Sequence, residues 1–322
     1  MKLQTQVDRG SFNKTVNYKD KTVFLGSCFS TNMAKKCQDS RLDTVENPFG
    51  ILYNPNSISK LLELSLGLDV IKIEDISHWQ GYYYYDHAHS DIFATSEQEL
   101  LDLLEKKISE FKALLMQSKN VFITLGTSFV YRKRNTGSLV ANCHKQAASL
   151  FEKEFIEYKV SLESLEKVLS MLEDKDVYIS ISPIRHLRDG LLDSQLSKSN
   201  LRLLCHELSS RLDHVSYYPS YEVFIDEMRD YRFYADDLIH PSSFAVDYIW
   251  EYFKQDFISD ASLQVMNSYL KLKKSLEHRP MKENDQNYLK HLNSLRQKME
   301  AFKGIDLSKE LSILDEKIKK NR

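Results

Sequence analysis

Short apolar runs alternate with stretches of helical periodicity along most of this chain. Thr22-Val23-Phe24-Leu25 stops at Gly26, residues 42–46 form a second run, and Val121-Phe122-Ile123-Thr124-Leu125 stops at Gly126. Residues 177–181 end at Ser182-Pro183, and residues 215–219 make a weaker fifth run. Apolar runs of this length, bounded by turn residues, predict buried strands. Between them the spacing predicts helices. Residues 27–38 follow the first strand, and Ser96-x-x-Glu99 forms a capping box ahead of Leu101, Leu104, Ile108, Phe111 and Leu115. Leu162, Leu165, Val168, Leu169 and Leu172 form a second stripe, and Leu201, Leu204, Leu208 and Leu212 a third. Stripes of this kind are core seams and carry no functional signal.

Strands separated by helices predict an α/β protein, a parallel sheet with helices on both faces. In such sheets the reactive groups gather at the carboxyl ends of the strands. Attention therefore falls on Gly26-Ser27-Cys28, Asn47-Pro48-Phe49-Gly50, Gly126-Thr127-Ser128, Ser182-Pro183 and the loop at His240. About residues 70–95, with Tyr82 through Tyr85 and His87, break the alternation and read as an insertion. After Phe257 the pattern changes. Tyr288, Leu292, Leu295, Met299 and Phe302 follow a 4-3-4-3 spacing, and Leu307, Leu311, Leu314 and Ile318 resume it beyond Gly304. Two short seams around a glycine predict an antiparallel helical hairpin, either a packing appendage or an element for homo-oligomerisation. The expected division is an α/β unit over 1–256 and a helical extension over 257–322.

Composition narrows the classes. The chain has 322 residues, 42% hydrophobic and 11% aromatic, enough for a substantial core. A formal net charge of −2 gives no sign of a nucleic-acid or membrane-surface partner. No run approaches the 18 apolar residues of a membrane span, and the first eight residues lack the apolar region of a signal peptide. Cys28, Cys37, Cys143 and Cys205 show no paired spacing, so reduced thiols in a cytoplasmic protein are expected.

The candidate chemistry lies at the two ends of this α/β unit. Ser27 and Cys28 offer a hydroxyl and a thiol where the first strand stops, and Asp237-Leu238-Ile239-His240 offers a carboxylate three residues ahead of an imidazole. Nucleophile, base and orienting group are the minimum set for covalent acyl transfer. His87 and His89 with Asp86 and Asp91 present a weak metal pattern, better read as a polar insertion lining a pocket; no metal or other cofactor is expected. Arg185, His186 and Lys198 follow the fourth strand and bind an anionic or sugar-like group or form surface pairs.

The runs FLGSCFS, NPFGILYNP, TLGTSFVYR, NCHK, SPIRHLRDG, SKSNLR and YRFYADDLIHPS, in this order over roughly residues 20 to 255, resemble the GSCFA domain family, which groups with the SGNH or GDSL-like hydrolases. The resemblance implies a three-layer, flavodoxin-like fold. It aligns Gly26-Ser27-Cys28 with the Gly-Asp-Ser nucleophile turn, so Cys28 takes the nucleophile position, with Ser27 the alternative. It implies Asp237 and His240 as orienting group and base. It also assigns the oxyanion donors to Gly50 of the second block and to Gly126 and Ser128 of the third, where asparagine ordinarily stands; Asn142 is a substitute amide. His144, in the same block as Asn142, joins His87, His89, Arg185, His186 and Lys198 as expected substrate contacts. The implied activity is ester hydrolysis or O-acyl transfer on a small-molecule or carbohydrate ester. The departures Asp-to-Ser, Ser-to-Cys and Asn-to-Ser motivate an alternative, a ligand-binding pseudoenzyme that keeps the pocket.

Overall fold

The computed structural model describes residues 4–278 and 286–321. The N-terminal Met1–Leu3 and part of the expected C-terminal extension, 279–285, lie outside the described residues. Five parallel strands form the central sheet: β1 (Lys21–Gly26), β2 (Thr44–Glu46), β3 (Ser118–Leu125), β4 (Asp176–Ile181) and β5 (Val215–Tyr218). Their spatial order is β5-β4-β3-β1-β2, the flavodoxin-like order 2-1-3-4-5 read from the other edge. The order reverses between β1 and β3, and their carboxyl ends, Gly26 and Leu125, open the crevice where such folds place a ligand.

Side-chain alternation divides the core into two layers. Val23 and Leu25, Val121, Ile123 and Leu125, and Val177, Ile179 and Ile181 pack against helices Pro55–Leu66, Glu97–Gln117, Tyr158–Leu169 and Leu191–Arg211. The intervening residues Phe24, Phe122 and Tyr178 face the other way, toward helices Cys28–Asp39 and Ser243–Phe257. The strand register aligns those three rings in one row, with centroids 4.8 Å apart at each step. A one-residue slip of any strand would exchange the two faces, so the register is firmly set.

Two small antiparallel sheets rest on this frame. Ile76–Trp79, Tyr82–Tyr85 and Phe93–Ala94 build the insertion expected near residues 70–95. Phe129–Lys133, Leu139–Val140 and Phe151–Phe155 build a second sheet, which the sequence pattern does not disclose. At the C-terminal end, helices Gln286–Glu300 and Ser308–Lys320 form the hairpin, but they do not stand alone. They close on helix Asp260–Glu277, and Tyr269, Leu276, Leu292, Leu295, Met299 and Leu314 share one core. Among the described residues no helix is long and apolar enough to cross a membrane.

Candidate active site

Cys28 reaches its position through a glycine. Gly26 has φ +114°, and a Cβ there would stand 2.1 Å from the Thr124 carbonyl oxygen of β3. Only glycine admits that close approach. It lets the Ser27 N–H donate to Thr124 O at 3.0 Å, which turns the chain into the helix that starts at Cys28. Ser30 secures the turn by donating to Leu25 O at 3.0 Å. Cys28 is half-buried at this helix start, and its sulfur faces the N–H groups of Cys28 and Phe29. Ser27 is buried with its hydroxyl unpartnered and does not line the adjoining pocket.

His240 comes from the opposite end of the chain on a turn built by Asp237. One oxygen of Asp237 accepts the N–H groups of Ile239 and His240 at 2.9 and 3.0 Å, while the other lies 2.7 Å from His240 Nδ1. The turn requires φ +56° at Leu238. These bonds hold the Asp237 carboxyl ionised, with its pKa lowered to about 2, the His240 backbone N–H first among them. An ionised carboxylate only accepts, so Nδ1 carries the hydrogen and Nε2 presents its lone pair. That Nε2 stands 3.6 Å from Cys28 Sγ. Burial raises the pKa of the Cys28 thiol, against the lowering effect of the helix-start N–H groups and of Lys198.

Both side chains open onto a pocket of 490 Å³. Its apolar wall includes Tyr53, Phe129, Val130, Tyr131, Ile184 and Ile239; its polar groups include Asn54, Asn142, Lys153, Arg185, His186 and Asp189. Lys153 meets Asp189 at 2.6 Å and lies 3.9 Å from the Phe129 ring centre, which ties the second small sheet to the loop after β4.

Two carboxamides on this wall are oriented alike. Asn54 Oδ1 caps helix Pro55–Leu66 by accepting the Ser57 N–H at 2.8 Å. Asn142 Oδ1 accepts the His144 N–H at 2.9 Å and the Ser90 hydroxyl at 2.8 Å. A backbone donor fixes which atom is oxygen in each case, so each NH₂ is left to face elsewhere, and neither has a protein acceptor among the described residues. Asn54 escaped the sequence reading because an asparagine before proline reads as a helix cap, and it is one.

Of the other residues singled out from the sequence, Arg185 and His186 line the pocket, and the rest stand outside it. Gly50 donates its N–H to Asn47 O at 2.8 Å inside a turn and packs on His89, away from the pocket. Gly126 donates to Tyr53 O at 2.6 Å. Ser128 is buried, donating to Ser197 O at 3.1 Å and accepting from Asn200 Nδ2 at 2.9 Å. All three donors are spent in holding the strand ends. His87 pairs with Asp75 at 3.3 Å, and His89 lies 3.1 Å from Asp91. His144 stacks on Tyr84 beneath Asn142, buried, its pKa lowered to about 4 by desolvation. None of these three histidines lines the pocket. Lys198 is no surface lysine. It is 3% exposed and donates to Gly126 O at 2.7 Å and Ser182 O at 2.9 Å. Burial without a carboxylate lowers its pKa to about 7. His186 does line the pocket, its pKa lowered to about 4 by burial and then by Lys198.

Comparison with known proteins adds the following. The model of the GSCFA family matches residues 21–253, and that of the GSCFA domain protein, C-terminal domain, matches residues 270–320. No curated protein matches the chain. Among solved structures, an acetyl xylan esterase from the rumen bacterium Butyrivibrio proteoclasticus matches with a TM-score of 0.34 and 10% identity. The match covers 74% of this chain and 64% of the esterase, so this chain spans less than two thirds of that protein's length.

Proposed function

The chain belongs to the GSCFA family, and from that premise we propose that it is an SGNH-like ester hydrolase or O-acyltransferase working through an acyl-enzyme on Cys28. The observation that carries this reading is the relay from Asp237 Oδ2 to His240 Nδ1 at 2.7 Å and from His240 Nε2 to Cys28 Sγ at 3.6 Å, opening on the pocket. A thiol with a raised pKa is not a standing thiolate. His240 therefore removes its proton as the sulfur attacks the ester carbonyl carbon, and the carbonyl electron pair moves onto oxygen. Asn54 and Asn142 NH₂ groups and the Cys28 N–H are the donors for that oxyanion in this reading. Collapse expels the alkoxide, which takes the proton from His240. A thioester on Cys28 remains, and water or a second hydroxyl, deprotonated by His240, releases the acyl group. The extension over 257–322 takes no part in these steps.

The raised thiol pKa also favours a second reading, a binding protein that holds an ester without turning it over. Steady-state rates on short 4-nitrophenyl esters for wild type, Cys28→Ala and His240→Ala separate the two. Loss of nearly all rate in both variants supports catalysis; equal rates in all three leave only binding.

A further inference from the structure

Arginine pairing in this chain has a pattern with two exceptions. Among the described residues, every arginine but two lies within 3.6 Å of a carboxylate oxygen. The two without a carboxylate are Arg185 and Arg188, and both line the Cys28 pocket. They sit on the loop after β4, Arg185 directly after Ile184 and Arg188 within the short turn Leu187–Asp189. Arg185 is held by ring faces, 4.0 Å from the centre of Tyr234 and 5.1 Å from that of Tyr231, an arrangement that fixes the guanidinium without neutralising it. Arg188 is exposed at the rim.

The remaining charges do not offset them. Asp189 is the only carboxylate lining the pocket among the described residues, and it is already paired with Lys153 at 2.6 Å. Asp237 stands behind His240 and is committed to it. His186 is held neutral by burial. The pocket of a chain whose formal net charge is −2 thus carries two uncompensated cations. A guanidinium fork matches the oxygens of a carboxylate or phosphate.

We propose that the substrate of the Cys28 site is an anionic ester, bearing a carboxylate or phosphate that Arg185 and Arg188 bind while its carbonyl meets the sulfur. The inference rests on the reading of this pocket as the acyl-transfer site, and it excludes a neutral alkyl ester as the preferred substrate.

The test compares iodoacetate with iodoacetamide on the full chain. In each case the Cys28 sulfur bonds to carbon as the C–I bond breaks and iodide leaves, the thiol proton passing to His240; the two reagents differ in charge. The readout is the ratio of the two rate constants for modification at Cys28, followed by mass spectrometry and set against the same ratio for free cysteine. Wild type is expected to favour iodoacetate about tenfold more than free cysteine does, the effect of a charge pair at a few ångströms in a partly screened site. Arg188→Gln, an exposed substitution that leaves folding intact, should lower the ratio. The Arg185→Gln/Arg188→Gln double variant should return it to the free-cysteine value. Inorganic phosphate at constant ionic strength should slow iodoacetate more than iodoacetamide. A wild-type ratio equal to that of free cysteine, or one unchanged in Arg188→Gln, overturns the proposal. Should Cys28 resist both reagents, the acyl-transfer reading fails by itself. Calorimetry with inorganic phosphate then decides the anion site: saturable binding lost in Arg188→Gln keeps it, and no binding to wild type removes it.

Discussion

Asp237 holds His240 three times over: through its own carboxylate on Nδ1, through the His240 backbone N–H, and through the neighbouring N–H of Ile239. The imidazole is thereby fixed in tautomer and direction, with Nε2 aimed at Cys28. Asp237→Asn should keep the backbone bonds, since a carboxamide oxygen still accepts N–H groups. It should lose the charge that favours the imidazolium, lowering kcat about 10- to 100-fold, less than the roughly 10³-fold loss expected for His240→Ala. Because the carboxyl titrates near pH 2, its stabilising effect is complete above the unfolded value of about 4 and is lost as pH falls through 2. Wild-type rates should therefore show no dependence on this group above pH 4. Steady-state kinetics from pH 4 upward checks both statements.

Lys198 gives a stability signal of the same sign in a higher pH window. Its folded pKa is near 7, against about 10.4 for an unfolded lysine. Between these values the unfolded chain binds more protons than the folded one, so this residue makes stability rise with pH from 7 toward 10.4 and adds no slope below 7. In urea unfolding, the stability of wild type minus that of Lys198→Met should rise with pH across that window. A constant difference would mean that the ammonium is not buried as described.

Asn54 and Asn142 should share one role. Asn54→Ala removes both a cap, worth about 1 kcal/mol, and an NH₂ without a protein acceptor. Asn54→Asp keeps the cap acceptor and replaces the NH₂ with an oxygen. If Asn54 donates to an oxyanion, both variants should lose about 100-fold in kcat while only the alanine variant loses cap stability. Parallel kinetics and thermal unfolding on the pair distinguish a donor from a cap alone.

Ser128→Ala removes the buried acceptor of one Asn200 N–H, while the other still donates to Ile156 O at 3.0 Å. Its expected cost is about 1–3 kcal/mol of stability, with kcat within a few-fold of wild type. Denaturant midpoints measured beside rates check this, and a rate loss at unchanged stability would restore Ser128 to the site.

Much of the frame was legible because alternation and burial agree: Val23 and Leu25 against Phe24, and Val121 and Ile123 against Phe122, belong to opposite core layers. Asp237-x-x-His240 was legible because a carboxylate three residues from an imidazole closes on itself in one turn. The sheet Phe129–Lys133 with Phe151–Phe155 was hidden by its charged, half-exposed residues, whose partners lie some twenty positions apart. Lys198 was hidden because a lysine on a long helix ordinarily reaches water, and nothing local shows that two strand ends converge on it. The third helix of the C-terminal unit was masked by divided loyalties: Met266 packs into the main core, whereas Tyr269 and Leu276 serve the second. The oxyanion donors implied by the family resemblance were not legible in this way, since Gly50 and Gly126 spend their N–H groups on a turn and a strand end.

In the proposed reaction Cys28 carries an acyl group delivered with the help of His240. Rapid-quench mass spectrometry after mixing the full chain with 4-nitrophenyl acetate reads this directly. The expected result is one acetyl group, mapped to Cys28, that forms in wild type, accumulates at least about 10²-fold more slowly in His240→Ala, and is absent in Cys28→Ala. Ester turnover with no adduct at Cys28, or an adduct that forms equally fast without His240, would contradict it.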